Sequence, residues 1–159
     1  MQKSFVIFAS YIPKYCVPCH TETMSNEAHH PETILTAEEC WKLTRAARYA
    51  RLGTLSDSGE IHINPVNILV HNEKIYFRTA LGAKYTNLLL HEQVTIAFDR
   101  IDENIAYSVN LFGIARPVTG STIRREIEEI GLHTWVDTPK LELVEITPVS
   151  LTGRRFKLS

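Results

Sequence analysis

The chain has 159 residues, 44% hydrophobic and 22% charged, with a formal net charge of −1 and a pI near 6.7. That is globular composition at one domain's length, and it offers no broad basic field for a nucleic-acid backbone or an anionic membrane. The longest apolar run, residues 5–12, is too short to span a bilayer, and three cysteines make no disulfide framework; the chain reads as cytoplasmic, without nucleic-acid or membrane partners.

The first thirty-odd residues hold Pro13, Pro18 and Pro31, two of the cysteines and three histidines, with no sustained periodicity. Behind Lys3 the apolar run could pass for part of a signal peptide, but no small-residue cleavage site comes after it. Residues 1–34 are expected to be a disordered extension and residues 35–159 one folded domain. Met24 opens a polar stretch, Ser25–Glu32, that would serve as a start. Residues 1–23 then read as an extension or as the product of an upstream start codon. Within them, Cys16-Val17-Pro18-Cys19-His20 matches the c-type haem attachment pattern, and with His29 or His30 it could be read as a zinc set. Haem attachment needs export and a pocket, and no ordered ligand spacing is present for zinc. The segment is read as functionless, and no metal site is expected.

Thr36 and Glu39 form a capping box, with Leu35 and Cys40 placed as a hydrophobic staple. Cys40, Leu43, Ala46 and Ala47 recur at helical spacing, which predicts a helix over 37–49 with Cys40 as a buried thiol. A strand comes next at Arg51–Ser56, then the turn Asp57-Ser58-Gly59, then a strand over Glu60–Val70 that Pro65 places at an edge or bulge. After the turn His71-Asn72-Glu73 come a strand, Lys74–Thr79, and a short helix, Gly82–His91, with Leu88 and Leu89 inward. Gln93–Asp102 and Ile105–Val118 read as two long strands. Ile123, Ile127 and Ile130 mark a further helix that Gly131 terminates. Two last strands, Leu141–Ile146 and Ser150–Lys157, are separated by Pro148. Six or seven strands joined mostly by hairpin turns predict a mainly β protein with short helices, its antiparallel sheet closing into a barrel.

An ordered set of strings then stands out: Arg51-Leu52-Gly53-Thr54-Leu55, Pro65-Val66-Asn67, Tyr76-Phe77-Arg78-Thr79 and Gly82-Ala83-Lys84. Tyr107-Ser108-Val109, Phe112-Gly113-Ile114-Ala115-Arg116, Ile146-Thr147-Pro148 and Thr152-Gly153-Arg154-Arg155-Phe156 continue it. Over roughly residues 36–157 the chain resembles the pyridoxamine 5′-phosphate oxidase-like flavin-binding proteins, in the branch that includes 5-nitroimidazole reductases. The resemblance implies an antiparallel split β-barrel of the FMN-binding type, a homodimer, and FMN in a groove between subunits. It assigns Arg78, Thr79 and Lys84 to the flavin phosphate, runs Pro65, Val66 and Asn67 past the isoalloxazine ring, and brings Ser108 close to the cofactor.

The residue chemistry supports the phosphate assignment separately. Arg78 ends a strand with a guanidinium fork that suits phosphate oxygens, and Lys84 falls in the first turn of the next helix, where free N–H groups favour an anion. The bland alternative makes both ordinary surface charges. Pro65 either frees backbone groups for the ring's polar edge or only protects an edge strand.

The vitamin B6 oxidases end in Trp-Gln-Gly and then Arg-x-His, whereas the matching residues here are Leu151-Thr152-Gly153 and Arg155-Phe156-Lys157. A phosphorylated vitamin is therefore not the expected substrate. His62, His71 and His91 read as surface or capping residues, although His62 lies on the Pro65 strand and could approach the ring. Trp135, in the loop 131–140, either covers the flavin or anchors the loop. The function expected is an FMN-dependent oxidoreductase acting on a small molecule, with no catalytic residue named because the flavin carries the electrons. A deazaflavin reductase and a non-catalytic flavin- or haem-binding module are the alternatives. The apolar face of Ile105, Tyr107, Val109 and Leu111 is expected to be buried against a twin.

Overall fold

A computed structural model of the chain describes residues 32–132 and 139–158. Its first helix, α1 (Ala37–Ala46), opens with the expected capping box. The Thr36 Oγ1 accepts from the Glu39 N–H, and the Glu39 carboxylate accepts from the Thr36 N–H. The helix stops three residues short of the expected end because sheet pairing claims the next residues. Ala47 is already extended, and Tyr49 faces Asn67 across a ladder. Ahead of α1, β1 (Glu32–Ile34) pairs antiparallel with Phe156, Arg155 and Arg154. The folded unit thus reaches back to Glu32, which corrects the boundary expected at residue 35. The Cys16–His20 segment and Trp135 lie outside the described residues.

The remaining strands are β2 (Tyr49–Leu55), β3 (Ile61–Asn67), β4 (Leu69–His71), β5 (Lys74–Thr79), β6 (Gln93–Asp102), β7 (Ile105–Pro117) and β8 (Glu142–Lys157). They form one antiparallel sheet in the order β3-β2-β6-β7-β8-β5-β4, with β1 added to β8. β3 swings round to touch β5. The sheet thereby curls into an antiparallel split β-barrel. Helix α2 (Ala83–Leu90) packs on β2, and α3 (Ser121–Ile130) ends at Gly131, whose φ of 89° is left-handed as the sequence predicts.

Period-2 alternation sends Leu52, Ile96, Val109, Leu111 and Phe77 into the barrel core, joined by Leu88 of α2 and the buried thiol of Cys40. Three expectations change here. Leu89 of α2 points out, because with Asn87 and Leu88 buried it falls on the solvent side of the turn. The two last strands are a single strand, β8. Pro148 is accommodated by a register shift opposite Phe112 and Gly113, where Val149 is the unpaired extra residue. Finally, Val109 and Leu111 belong to this protomer's own core, so of the face expected to meet a twin only Ile105 and Tyr107 keep any exposure. The apolar surface left open is the other face of the sheet. There Ile61, Ile63 and Phe112 are 74%, 67% and 48% exposed. No helix among the described residues is long and apolar enough to cross a membrane.

Candidate functional site

The cationic residues of interest gather where β5 runs out and α2 begins. The end of β5 is anchored to β8 by a polar cluster. The Lys74 ammonium and the Tyr76 hydroxyl both donate to the Glu145 carboxylate at 2.7 Å. Burial pushes the Glu145 carboxyl up, but those two bonds outweigh it and hold the group below the usual carboxylate range. Burial first, then the adjacent Glu145, drives the Tyr76 phenol well above its ordinary value. This ladder brings Arg78 opposite Leu143 and Thr79 opposite Glu142.

Alternation then separates the expected phosphate ligands. Phe77 belongs to the barrel core and Tyr76 to the cluster under α3, so Arg78 takes the α3 face and Thr79 the barrel face. Arg78 donates to Glu128 of α3 at 2.9 Å. Thr79 is buried, its hydroxyl donating to the Ala80 carbonyl at 3.2 Å. Lys84 is half-buried in the first turn of α2, with its pKa lowered by burial and by Lys140 beside it. No side chain caps α2, and a Cβ at Gly82 would meet nothing within 4 Å, so the space before that helix end is open. Two lysines brought together at an uncapped helix start make a site for an anion. A phosphate would fit the two lysines; Thr79 would first have to turn its hydroxyl from the Ala80 carbonyl, and Arg78 would have to let go of Glu128 or bridge to it.

The other expected residues lie elsewhere on the sheet. Asn67 faces Tyr49 between β3 and β2, while Asp99, Ser108 and Arg154 follow one row across β6, β7 and β8. Ser108 donates to the Asp99 carboxylate at 3.4 Å, and Arg51 pairs with the same carboxylate. Pro65 is opposite Arg51 on the edge strand β3, exposed, while Val66 is buried in the core and offers a ligand only its backbone. Since Val144 faces Pro117 and Leu143 faces Arg78, Arg78 is level with the end of β7. Ser108 is about nine residues back along that strand, roughly 30 Å away at 3.4 Å per residue. Within one protomer the expected set is therefore two groups, not one.

Between these groups lies a groove of about 670 Å³ on the open sheet face, lined by Leu55, Ile61, Ile63, Phe112 and Val149 with Arg51 and Asn110 at its margin. Two buried polar atoms, Thr54 Oγ1 and His91 Nε2, have no hydrogen-bond partner among the described residues. His91 otherwise caps α2, its N–H donating to the Asn87 carbonyl, and His71 is tied to Glu126 at 2.7 Å. His62 reaches only Glu60, at 3.9 Å. Sequence reasoning misses Lys140, which sits in a polar loop without pattern, and Glu128, whose pairing is long-range. Thr54 is the one that parity could have found, because it shares the inward face of Leu52.

The fold is a split β-barrel, with lysines at the start of α2 and an apolar groove on its outer face. The sequence matches the family described as pyridoxamine 5′-phosphate oxidase over residues 36–155. The chain belongs to this family. Among solved structures it is similar to the FAD binding protein from Mycobacterium smegmatis, at 33% identity and a TM-score of 0.67, covering 79% of this chain and 99% of that one. A FAD-binding protein from Mesorhizobium loti shares the fold at 21% identity and a TM-score of 0.70, covering 78% and 97%. The haem storage protein HutZ from Vibrio cholerae shares it at 13% identity and 0.58, covering 72% and 92%. Among curated proteins no sequence matches.

Proposed function

We propose that the protein is an FMN-dependent oxidoreductase acting on a small molecule as a homodimer, with the flavin between protomers. The observation that carries this reading is the half-buried Lys84 beside Lys140 at the open, uncapped start of α2. Burying one lysine next to another costs stability unless an anion joins them, and a flavin mononucleotide ends in such an anion. The flavin would supply the electron transfer. The chain's own part is to bind and orient: Lys84, Lys140 and Thr79 take the phosphate, and the backbone of Pro65, Val66 and Asn67 runs beside the ring. Ser108 stands too far along β7 to share a cofactor with the same protomer's Lys84, so its contact, with that of the Pro65–Asn67 segment grouped with it, comes from the twin. The exposed groove of Ile61, Ile63 and Phe112 supplies the apolar area for that pairing.

The absorbance spectrum of the purified protein, read with its mass by light scattering, tests the proposal. A flavin doublet on a dimer supports it. A Soret band, or a protein that takes up no added flavin, overturns the cofactor, and a flavin-loaded monomer overturns the interface site. FAD is a second reading, favoured by the 33% identical FAD binding protein. Chromatography of the flavin released on denaturation separates the two.

A further inference from the structure

A slot opens where β2 leaves the sheet. β2 pairs with β6 only over Arg51–Gly53, while β6 runs on to Asp102 with β7 along its other side. A cavity of about 540 Å³ fills the gap between the end of α1, the start of β2 and the β6–β7 hairpin. Its floor is apolar and partly aromatic, built from Leu43, Ala47, Phe98, Tyr107 and Val109. Its rim is cationic, with Arg48, Arg51 and Arg100. The Arg51 guanidinium is taken by Asp99 and that of Arg100 by Asp102. The Arg48 guanidinium has no ion-pair or hydrogen-bond partner among the described residues. Three guanidinium groups thus face two carboxylates, and the uncompensated charge sits on Arg48 above an apolar floor.

We propose that this slot binds a small aromatic carboxylate, with Arg48 gripping the carboxylate and the ring lying on Phe98, Tyr107 and Leu43. The planar guanidinium fork matches a carboxylate in a bidentate way, and one free cation balances one negative charge, not the two of a phosphate. Asp99 does not repel the ligand, because Arg51 and Ser108 already hold it. Tyr49 and Asp99 line the slot, and across their ladders Tyr49 faces Asn67 and Asp99 faces Ser108. The bound acid therefore lies beside the place proposed for the flavin ring; its role as substrate rests on that reading, while its binding does not.

The test is an NMR titration of the full-length protein with benzoate and with its uncharged isostere benzamide, with flavin uptake recorded on the same samples. Benzoate binds about tenfold tighter than benzamide and shifts the methyl signals of Leu43 and Ala47. Arg48→Ala removes that advantage and leaves benzamide unchanged, and Arg48→Lys restores part of it. No detectable benzoate binding, equal affinity for the two probes, or a benzoate affinity indifferent to Arg48→Ala overturns the proposal. Flavin uptake without benzoate selectivity sinks the slot and leaves the flavin reading standing. Benzoate selectivity without flavin uptake does the reverse.

Discussion

Removing Lys84 is the sharpest perturbation of the proposed phosphate site. The residue lies half-buried in the first turn of α2, with Lys140 at its side. A charge-assisted hydrogen bond to phosphate contributes about 1.5–3 kcal/mol, and half-exposure to solvent puts this one at the low end. Lys84→Ala should then weaken FMN binding roughly tenfold, since each 1.4 kcal/mol is a factor of ten. Riboflavin lacks the phosphate, and its affinity should stay within about twofold. The pH dependence gives a second readout. In the free protein the Lys84 pKa lies below its ordinary 10.5, through burial first and Lys140 second. A bound phosphate favours the charged form and raises that pKa, so binding takes up a proton. FMN affinity should therefore fall as pH rises through the free-protein value, and this alkaline loss should vanish in Lys84→Ala. Fluorescence quenching of FMN and riboflavin on the apoprotein, from pH 7 to 10.5, measures both effects. An FMN affinity unchanged in the variant, or an equal loss for riboflavin, would refute the phosphate argument.

The geometry also fixes the outcome of three other substitutions. Glu128→Gln releases Arg78 from a pair whose carboxylate partner is 60% exposed; surface pairs reach about 1 kcal/mol, so FMN should bind up to about fivefold tighter by the same assay, with riboflavin unaffected. Ile63→Lys places a charge in the exposed groove and should shift the protein to a monomer in light scattering while leaving its Tm nearly unchanged; a persistent dimer would remove that face from the interface. Gly153→Ala drives a Cβ to 2.6 Å from the Cys40 sulfur and 3.2 Å from Val109. That overpacking should cost about 1–3 kcal/mol in denaturant unfolding, and adding Cys40→Ala should recover most of it.

Local signals are the ones that survive from sequence to structure. Thr36 and Glu39, the positive φ at Gly131, and the two long alternating strands each depend on residues within a few positions of one another. Features that depend on distant partners are illegible. Pro148 reads as a break because a lone strand cannot donate there, yet the bulge at Val149 lets β8 pass with β7 in register on both sides. The apolar run of β7 is ambiguous, since Ile105, Tyr107, Val109 and Leu111 are apolar enough for either a core or an interface. Only the neighbouring strands decide which. Arg78 and Lys84 read as one clamp from a spacing of six residues. A strand end and a helix start can sit that close in sequence while Arg78 turns to α3 and pairs with Glu128, which is what the alternation of Tyr76 and Phe77 imposes here.

The position of β8 has a consequence for how the protein comes into being. This strand of 16 residues pairs with β1, β5 and β7, yet it follows all three of them in the chain. Until it arrives, β5 has no ladder partner but the short β4, and one whole edge of β7 is bare. The pairing that closes the sheet is long-range, so the nascent chain must wait, collapsed and sticky, for β8. Translation speed and chaperone supply, more than final stability, should then govern how much of it reaches the native state in a cell.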